Sequence, residues 1–559
     1  MRGAFGAILL VGCNSILGIH DLPPDQTSPD GPPAACSEGC ACGSDADCGS
    51  HMYCDTSEVV STTCRCVAGY TDQGGCMWTG VVTDPGFMTT TAWTLGSGMS
   101  ISPDYYDGSD MVDPGMALAQ TSGQMGMPGT QTLSAEVSQS FVMPRLSRAE
   151  ALAIELSARV TLNPIGVQAS TELDVGARWS SNAFEMLGAN PIEQSTFVRS
   201  QACLGEAQYA PETSSGSGEP QSLDLSALVT GNLPPTGFEI DFDHLEIVEP
   251  GANACPVPGT VTNGSAEGSD GWTFGAYGYD GADGVSAGYA AGVGVQGSRG
   301  VQLRLAERCD EAVATVPMSI AMPSGSAAVA LSVYHKHSGA TETLALSGES
   351  LVLSSDSGGV LDTYCVPAAL QGSIAQLTAE LVDASECGSA LVETADLDDV
   401  VLATDPGCMI VDGVVDPSFE SGYLLMNVSR DAGDTVAAID DGSAPDGTHY
   451  LRLAIAATCD TAEWDAQVVT PAQAPGVGTA LTFQYNAPSG KLYAKGSLVP
   501  TQGSGWQPSK VCLDAIAPGQ TQSISFYVTD SPTLCGAAEA VSAGIDTLAL
   551  VADPTCPAF

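Results

Sequence analysis

The sequence predicts an all-β chain: a small disulfide-stapled module followed by three strand-built domains in tandem. Three observations carry this expectation. First, 64 glycines and 34 prolines stand beside a charged content of only 14%, which suits many short strands and turns better than helices. Second, eight cysteines crowd into residues 36 to 76, too dense for anything but a module that compensates for a small core with cross-links. Third, from residue 77 onward the chain repeats itself with a period of about 150 residues, the size of one domain.

Composition bounds the function. A chain of 559 residues holds several domains at ~100–200 residues each, and 44% apolar residues supply cores for them. Lysine plus arginine number 16 against 65 acids, a net charge of -49. Nucleic acid is excluded as a partner, because its phosphates would be repelled, and so is adsorption on anionic lipid. The same charge favours solubility and cation binding, although a solvated acidic surface accounts for most of it.

The N-terminus reads Met1-Arg2, an apolar run from Gly3 to Val11, and then Gly12-Cys13. A positive residue, a short apolar stretch and a small residue before cysteine make a secretory signal. The run is shorter than the ~20 apolar residues of a spanning helix. It resembles the bacterial lipobox. The resemblance implies cleavage after Gly12, lipidation of Cys13, and a mature chain held on a membrane by several acyl chains. An ordinary cleaved signal is the alternative and would leave Cys13 free. Taking Cys13 from 19 cysteines leaves an even number, which in an exported chain implies disulfides. Zinc is the competing use of dense cysteines, and an oxidising compartment with only six histidines argues against it.

The Pro-rich segment 13–35 is expected to form an extended tether. Within 36–76, the run Cys54-x9-Cys64-x-Cys66-Val67-Ala68-Gly69-Tyr70-x5-Cys76 resembles the C-terminal half of an EGF-like module. The resemblance implies Cys48–Cys64, Cys66–Cys76, and Cys54 bonded to Cys36, Cys40 or Cys42. The remaining two would pair with each other. Eight cysteines allow 105 connectivities. Pro32-Pro33-Ala34-Ala35 stands where calcium-binding members of that family carry acids, so Asp45 and Asp47 read as surface residues.

The repeat places three copies at 77–254, 255–407 and 408–559. Leu397-Asp398-Asp399-Val400-Val401-Leu402 before Asp405-Pro406-Gly407-Cys408 matches Ile545-Asp546-Thr547-Leu548-Ala549-Leu550 before Asp553-Pro554-Thr555-Cys556. Cys309, Cys365 and Cys387 match Cys459, Cys512 and Cys535. The first copy is divergent, with Phe242-Asp243-His244-Leu245 in the last-strand slot and Cys255 closing it. Ser147-Arg148-Ala149-Glu150 has the form of a helix capping box. Yet Leu152, Ile154, Leu156, Ala158 and Val160 alternate with period two, as do Val329-Leu331-Val333 and Leu481-Phe483-Tyr485, so a half-buried strand is expected. The first copy lacks both Cys309 and Cys387 counterparts and keeps Cys203 and Cys255. Loss in pairs points to Cys309–Cys387, Cys459–Cys535, Cys365–Cys408, Cys512–Cys556 and Cys203–Cys255, with adjacent-loop pairs such as Cys365–Cys387 still open.

Each copy opens on a turn: Asp84-Pro85-Gly86-Phe87, Asn263-Gly264-Ser265-Ala266-Glu267, and Asp416-Pro417-Ser418-Phe419-Glu420. With Trp93 and Trp272 following in two copies and an Asp-Asp-Val-x-Leu closing strand, the pattern resembles the CenC-type carbohydrate-binding module, of the galactose-binding-like class. The resemblance implies jelly-roll β-sandwiches, a ligand site on loops or a concave face, and a structural calcium. Carried over, the calcium ligands are Glu267 with Asp398 and Glu420 with Asp546. Met88 stands in the Glu slot of the first copy, beside Asp243. Oxygen ligands from two strand ends suit calcium; the alternative is that these acids cap turns.

The stretch 268–300 is Gly-rich and carries Trp272, Phe274, Tyr277, Tyr279 and Tyr289. Trp272, Tyr277, Tyr279 and Tyr289 are the candidate ligand-binding aromatics, although so much glycine favours a disordered insertion. The first copy carries Met99, Met111, Met116, Met125 and Met127 with Tyr105 and Tyr106 in the matching region, an adaptable contact surface or simple packing. His335 and His337 share one strand face and form a pair able to bind metal, but His335 continues the Val329-Leu331-Val333 face and reads as a buried or edge histidine. No His-Glu-x-x-His or P-loop occurs, and no enzyme is expected. The leading expectation is a lipid-anchored, non-catalytic binding protein of a Gram-negative cell envelope, at the outer membrane or cell surface. It would contact glycan or another envelope protein, with avidity from linked copies. A structural or adhesive stalk comes second and a polysaccharide hydrolase last.

Overall fold

The computed structural model of the chain describes residues 41–558, with interruptions of which the longest are 56–62, 103–115, 121–129, 163–171, 188–197 and 207–217. Side chains over much of 156–243 also lie outside the description. The N-terminal signal, Cys13, the tether, Cys36, Cys40, and the stretch 145–150 fall outside the described residues.

The small module is two hairpins, Met52–Asp55 with Thr63–Cys66 and Tyr70–Asp72 with Cys76–Trp78. Among the described residues, Cys42, Met52, Cys54 and Cys64 form its core cluster. Cross-links stand in for the missing apolar area: Cys42–Cys54, Cys48–Cys64 and Cys66–Cys76. Gly69 has φ +76°, and a Cβ there would lie 2.6 Å from the Trp78 ring. That ring packs edge-on against Tyr70 at 5.0 Å.

The rest is all-β, as the alternation requires. The strands fall into three pairs of antiparallel sheets. In the second pair, Glu311–Ser319, Ile374–Val382 and Glu342–Leu346 lie side by side in one sheet. In its partner sheet Arg299–Glu307, Ala390–Val411, Ala327–His337 and Val360–Cys365 lie side by side. The third pair repeats this order strand for strand, with Thr461–Val469, Thr521–Thr529 and Leu492–Ala494 facing His449–Ala457, Ala538–Asp553, Gly478–Asn486 and Gln507–Cys512. Burial alternates residue by residue, as in Ile374–Val382 and Thr521–Thr529, so each sheet turns one face inward and the cores form between sheets. The first pair includes Ala153–Leu162 as a strand, where alternation prevails over the capping-box reading. The disulfides are Cys203–Cys255, Cys309–Cys387, Cys365–Cys408, Cys459–Cys535 and Cys512–Cys556.

One expectation is overturned here. The Gly-rich stretch is not a structureless insertion in its described part: Thr273–Tyr277 pairs with Glu311–Ser319, and Ser286–Ala291 with Arg299–Glu307. Its glycines at 271, 284, 292 and 297 occupy positive-φ turn positions rather than lengthening a free loop. Residues 279–283, including Tyr279, lie outside the described residues.

The second and third sandwiches are fused. The closing strand Ala390–Val411 runs through residue 408, where the sequence puts the domain boundary, and pairs with Val414–Val415. Beyond it, Leu424 and Met426 pack into the second core while Leu425 packs into the third. The segment is stitched by Leu424 N–H to Thr363 O, Val352 N–H to Leu425 O, and Asn427 N–H to Ser350 O, at 3.0, 3.2 and 2.8 Å. Separating the two sandwiches would therefore open both cores.

Carboxylates crowd this junction. Burial, and then the charges of Glu463 and Glu349, push Asp465 up to about 6. The folded-state pKa thus exceeds that of the unfolded chain, and the native state takes up the proton first. Stability is expected to rise as pH falls from about 6 toward about 4, and to be lost as pH climbs through about 6. Asp465→Asn should stabilise the junction at pH 8 by about 1–2 kcal/mol, allowing for screening of a part-exposed group, and by nothing at pH 4. Thermal unfolding at the two pH values checks this; an equal effect at both would refute it.

Candidate functional site

The three opening turns have one geometry. Asp84 and Phe87, Asn263 and Ala266, and Asp416 and Phe419 all have φ between 47° and 59°. Asp and Asn tolerate this left-handed region because their side chains bond the backbone that follows. The Asp84 carboxylate accepts from Met88 and Thr89 N–H at 2.7 Å each, Asn263 Oδ1 from Gly268 N–H at 2.9 Å, and Asp416 Oδ1 from Ser421 N–H at 3.3 Å, with Oδ2 accepting from the Ser421 hydroxyl at 2.5 Å. The next carbonyl then clamps the closing strand: Leu245 N–H to Pro85 O, Val400 N–H to Gly264 O, and Leu548 N–H to Pro417 O, at 2.9, 3.0 and 2.9 Å.

Each clamp sits beside a bulge in the closing strand. Register shifts between Phe242 and His244 in the first copy. In the others, Asp399 and Thr547 have φ 45° and 56° opposite the shifts at Ser332/Tyr334 and Thr482/Gln484. A bulge re-aims side chains locally, and here the residue before the left-handed one is an acid in both copies, Asp398 and Asp546. Both are buried, at 1% and 0% exposure.

In the third sandwich, Glu420 Oε1 accepts the N–H groups of Thr448 and His449 at 2.8 and 2.7 Å. Burial raises its pKa, but these donors outweigh that and hold it below the usual range. Asp546 accepts from Thr547 N–H at 2.6 Å and from Asp446 N–H at 3.3 Å. Its burial, with the like charges of Asp446 and Glu420, still pushes it up to about 6. Three carboxylates thus compete for one corner.

The second sandwich is built alike. Glu267 Oε1 accepts from Arg299 N–H at 3.3 Å, Arg299 standing at the register position of His449. Asp398 Oδ2 accepts from Val295 N–H and the Ser298 hydroxyl at 2.8 Å each. Its Oδ1 is buried and has no hydrogen-bond partner. Burial and the charges of Asp398 and Glu267 raise the Asp399 carboxyl. The donor set, oxygen atoms only with one orphaned carboxylate oxygen, fits a hard cation such as calcium. In the first copy Met88 is 40% exposed, and the Asp243 side chain lies outside the described residues.

The aromatic candidates separate. Trp272 is a correction: it is 6% exposed, belongs to the second core, and donates its indole N–H to Asn263 O at 3.0 Å, so it presents no face to a ligand. Trp93 does the same with Asp84 O at 2.9 Å. Tyr289 packs edge-on against Phe274 at 5.1 Å, lies under the Arg299 guanidinium at 4.4 Å, and bonds Asp270 O. Tyr277 is 63% exposed and free to meet solvent or ligand. Of the methionines in the first copy, Met99 and Met116 lie in paired strands; 111, 125 and 127, with Tyr105 and Tyr106, are outside the described residues.

Sequence reasoning did not find Asp446, which reaches the third corner from 100 residues upstream of Asp546. Nothing in its local sequence marks it.

No family model matches the sequence, and no curated protein matches it. Among solved structures, the tandem CBM22-1–CBM22-2 domain of Paenibacillus barcinonensis Xyn10C is 13% identical, over 58% of this chain and 98% of that one, with a TM-score of 0.19. TmCBM61 in complex with β-1,4-galactotriose is 9% identical over 31% and 99%, TM-score 0.20. An anti-sigma factor domain-containing protein is 12% identical over 52% and 99%, TM-score 0.13. Likenesses at this level carry no argument about activity; the all-β architecture rests on the strand pairings of the chain itself.

Proposed function

We propose that this chain is a lipid-anchored, non-catalytic protein of the cell envelope. Its sandwiches are presented to glycan, and their loop ends are set by calcium in the second and third copies. The observation that carries the calcium part is the acid corner: a fully buried Asp546 crowded by Glu420 and Asp446, matched by the orphaned Oδ1 of Asp398. A buried carboxylate among like charges is costly without a cation. The glycan part rests on the resemblance of the opening turns and closing strands to CenC-type modules, and on the exposed ring of Tyr277.

The test is binding of soluble residues 36–559 to a panel of polysaccharides, with calcium and then with chelator. Binding that disappears with chelator and in Glu420→Ala supports the reading. Binding indifferent to both sinks the calcium part, and no binding at all sinks the glycan part. A second reading, a stiff adhesive or structural stalk, is favoured by the fused junction, where Leu424, Leu425 and Met426 serve two cores at once. It expects calcium to raise thermal stability while no polysaccharide is retained.

A further inference from the structure

We infer that His335, His337 and Glu342 form a binding site for a divalent first-row transition-metal ion, zinc foremost, separate from the calcium corners. His335 and His337 end the strand Ala327–His337 in one sheet, while Glu342 begins Glu342–Leu346 in the facing sheet. The two elements are consecutive in the chain.

The ligand atoms of the three lie within 4.8 Å of one another. Glu342 Oε2 is 3.6 Å from His335 Nδ1 and 3.4 Å from His337 Nδ1. Tetrahedral zinc with bonds of about 2.0–2.1 Å separates neighbouring ligand atoms by about 3.4 Å. The imidazoles are parallel, 5.8 Å apart and 4° from coplanar orientation. The side chains of His335, His337 and Glu342 are 0%, 17% and 1% exposed.

Four atoms converge there without any hydrogen-bond partner: His335 Nδ1, His337 Nδ1, and both carboxylate oxygens of Glu342. Native proteins rarely leave one such atom buried and unsatisfied. An orienting partner is also in place. His335 Nε2 lies 2.8 Å from Asp362 Oδ2, and Asp362 accepts from Ser354 N–H at 2.8 Å and from the Ser354 hydroxyl. With Nε2–H donating to Asp362, the lone pair of Nδ1 faces Glu342. This is the carboxylate–histidine arrangement that fixes the tautomer of a metal ligand. Two imidazole nitrogens select a borderline ion over calcium or magnesium. Two histidines and a glutamate leave a fourth position for water or an incoming group.

The third sandwich supplies an internal control. By strand register, the positions of His335, His337 and Glu342 are taken there by Tyr485, Ala487 and Leu492. These are 4%, 7% and 0% exposed and belong to its apolar core. Ser509 stands at the position of Asp362. The fold therefore fills this corner with apolar side chains when it has no other use for it, and the polar set of the second sandwich calls for a ligand of its own.

The test is zinc titration of the untagged, oxidised chain. Elemental analysis after gel filtration should find one zinc per chain retained. Cobalt in its place should give the visible absorption of a four-coordinate site. His337→Ala should lower zinc affinity at least tenfold. The triple variant His335→Tyr, His337→Ala, Glu342→Leu, which imports the residues of the third sandwich, should fold and lose the site, while Glu420→Ala should leave zinc binding unchanged. If the wild-type chain retains no stoichiometric zinc, or if His337→Ala and the triple variant bind it as well as wild type, the inference is overturned, and His335 is then a buried imidazolium held between Asp362 and Glu342.

Discussion

Replacing Cys309 and Cys387 together by serine is expected to destabilise the second sandwich by about 2–5 kcal/mol. The bond closes a loop of 78 residues, and closing a long loop removes more freedom from the unfolded chain than closing a short one. It also sits at a left-handed turn. Cys309 has φ +68° at the turn between Arg299–Glu307 and Glu311–Ser319, and Cys459 has φ +71° at the matching turn of the third sandwich. A left-handed conformation at a residue with a Cβ costs free energy that the surrounding structure must offset, and serine keeps that cost when the cross-link that helps to hold the turn is gone. Hydrogen exchange should show lost protection along Arg299–Glu307, Glu311–Ser319 and Ile374–Val382, with the third sandwich unaffected apart from the shared junction. An unchanged melting midpoint with unchanged exchange would show that the apolar core alone holds this edge.

Much of the architecture was legible in the sequence because repetition supplied comparisons that a single copy lacks. Period-two alternation in Val329-Leu331-Val333 and Leu481-Phe483-Tyr485 fixed which face of each strand turns inward, and the structure buries those faces. The same comparison decided against a helix at Ala153–Leu162. The pairings of Cys309, Cys365, Cys459 and Cys512 are those to which pairwise loss in the first copy points. The Gly-rich stretch misled because glycine count says nothing about where glycines fall. Here several lie in positive-φ turns, and the residues between them still pair. Trp272 misled for a related reason. An indole after a loop has the chemistry of a ligand platform, but its N–H reaches back to Asn263 O and its ring fills the core.

The acid corners were partly legible. Asp398 and Asp546 stand out in the sequence because the closing strand repeats, but what makes them unusual is a bulge, and a bulge is a pairing property invisible in one strand. Asp446 had no signal at all. The His335 site shows the limit most sharply. Two histidines two residues apart suggest a shared face. Their third partner, Glu342, lies across the sandwich in another sheet, and Asp362 comes from a neighbouring strand. Convergence of that kind depends on how two sheets stack, which alternation alone does not specify.

Phe526→Ala is expected to destabilise the third sandwich by about 3–5 kcal/mol, the cost of deleting a fully buried aromatic ring and leaving a cavity. Phe526 is 0% exposed. It meets Phe483 of the facing sheet edge-on at 5.0 Å and stacks on Trp464 at 6.0 Å, which in turn packs on Phe419 of the opening turn at 5.4 Å. This chain of rings links both sheets to the acid corner of Glu420 and Asp546. The second sandwich solves the same problem differently: by register, Ala314, Ala379 and Val333 stand at the positions of Trp464, Phe526 and Phe483, and Trp272 from the opening loop joins that core. One large indole therefore enters each core, from the loop in one copy and from a strand in the other. Because the ring stack ends on Phe419, next to Glu420, the loss at Phe526 should also weaken the proposed calcium binding at the third corner while leaving the second corner untouched. Phe526→Leu, which keeps most of the volume, should cost less than about 1.5 kcal/mol. Calorimetry of the two variants, with and without calcium, measures both effects. Equal melting of Phe526→Ala and wild type would mean that the sheets hold together without this contact, and the stack could then not be what positions the corner.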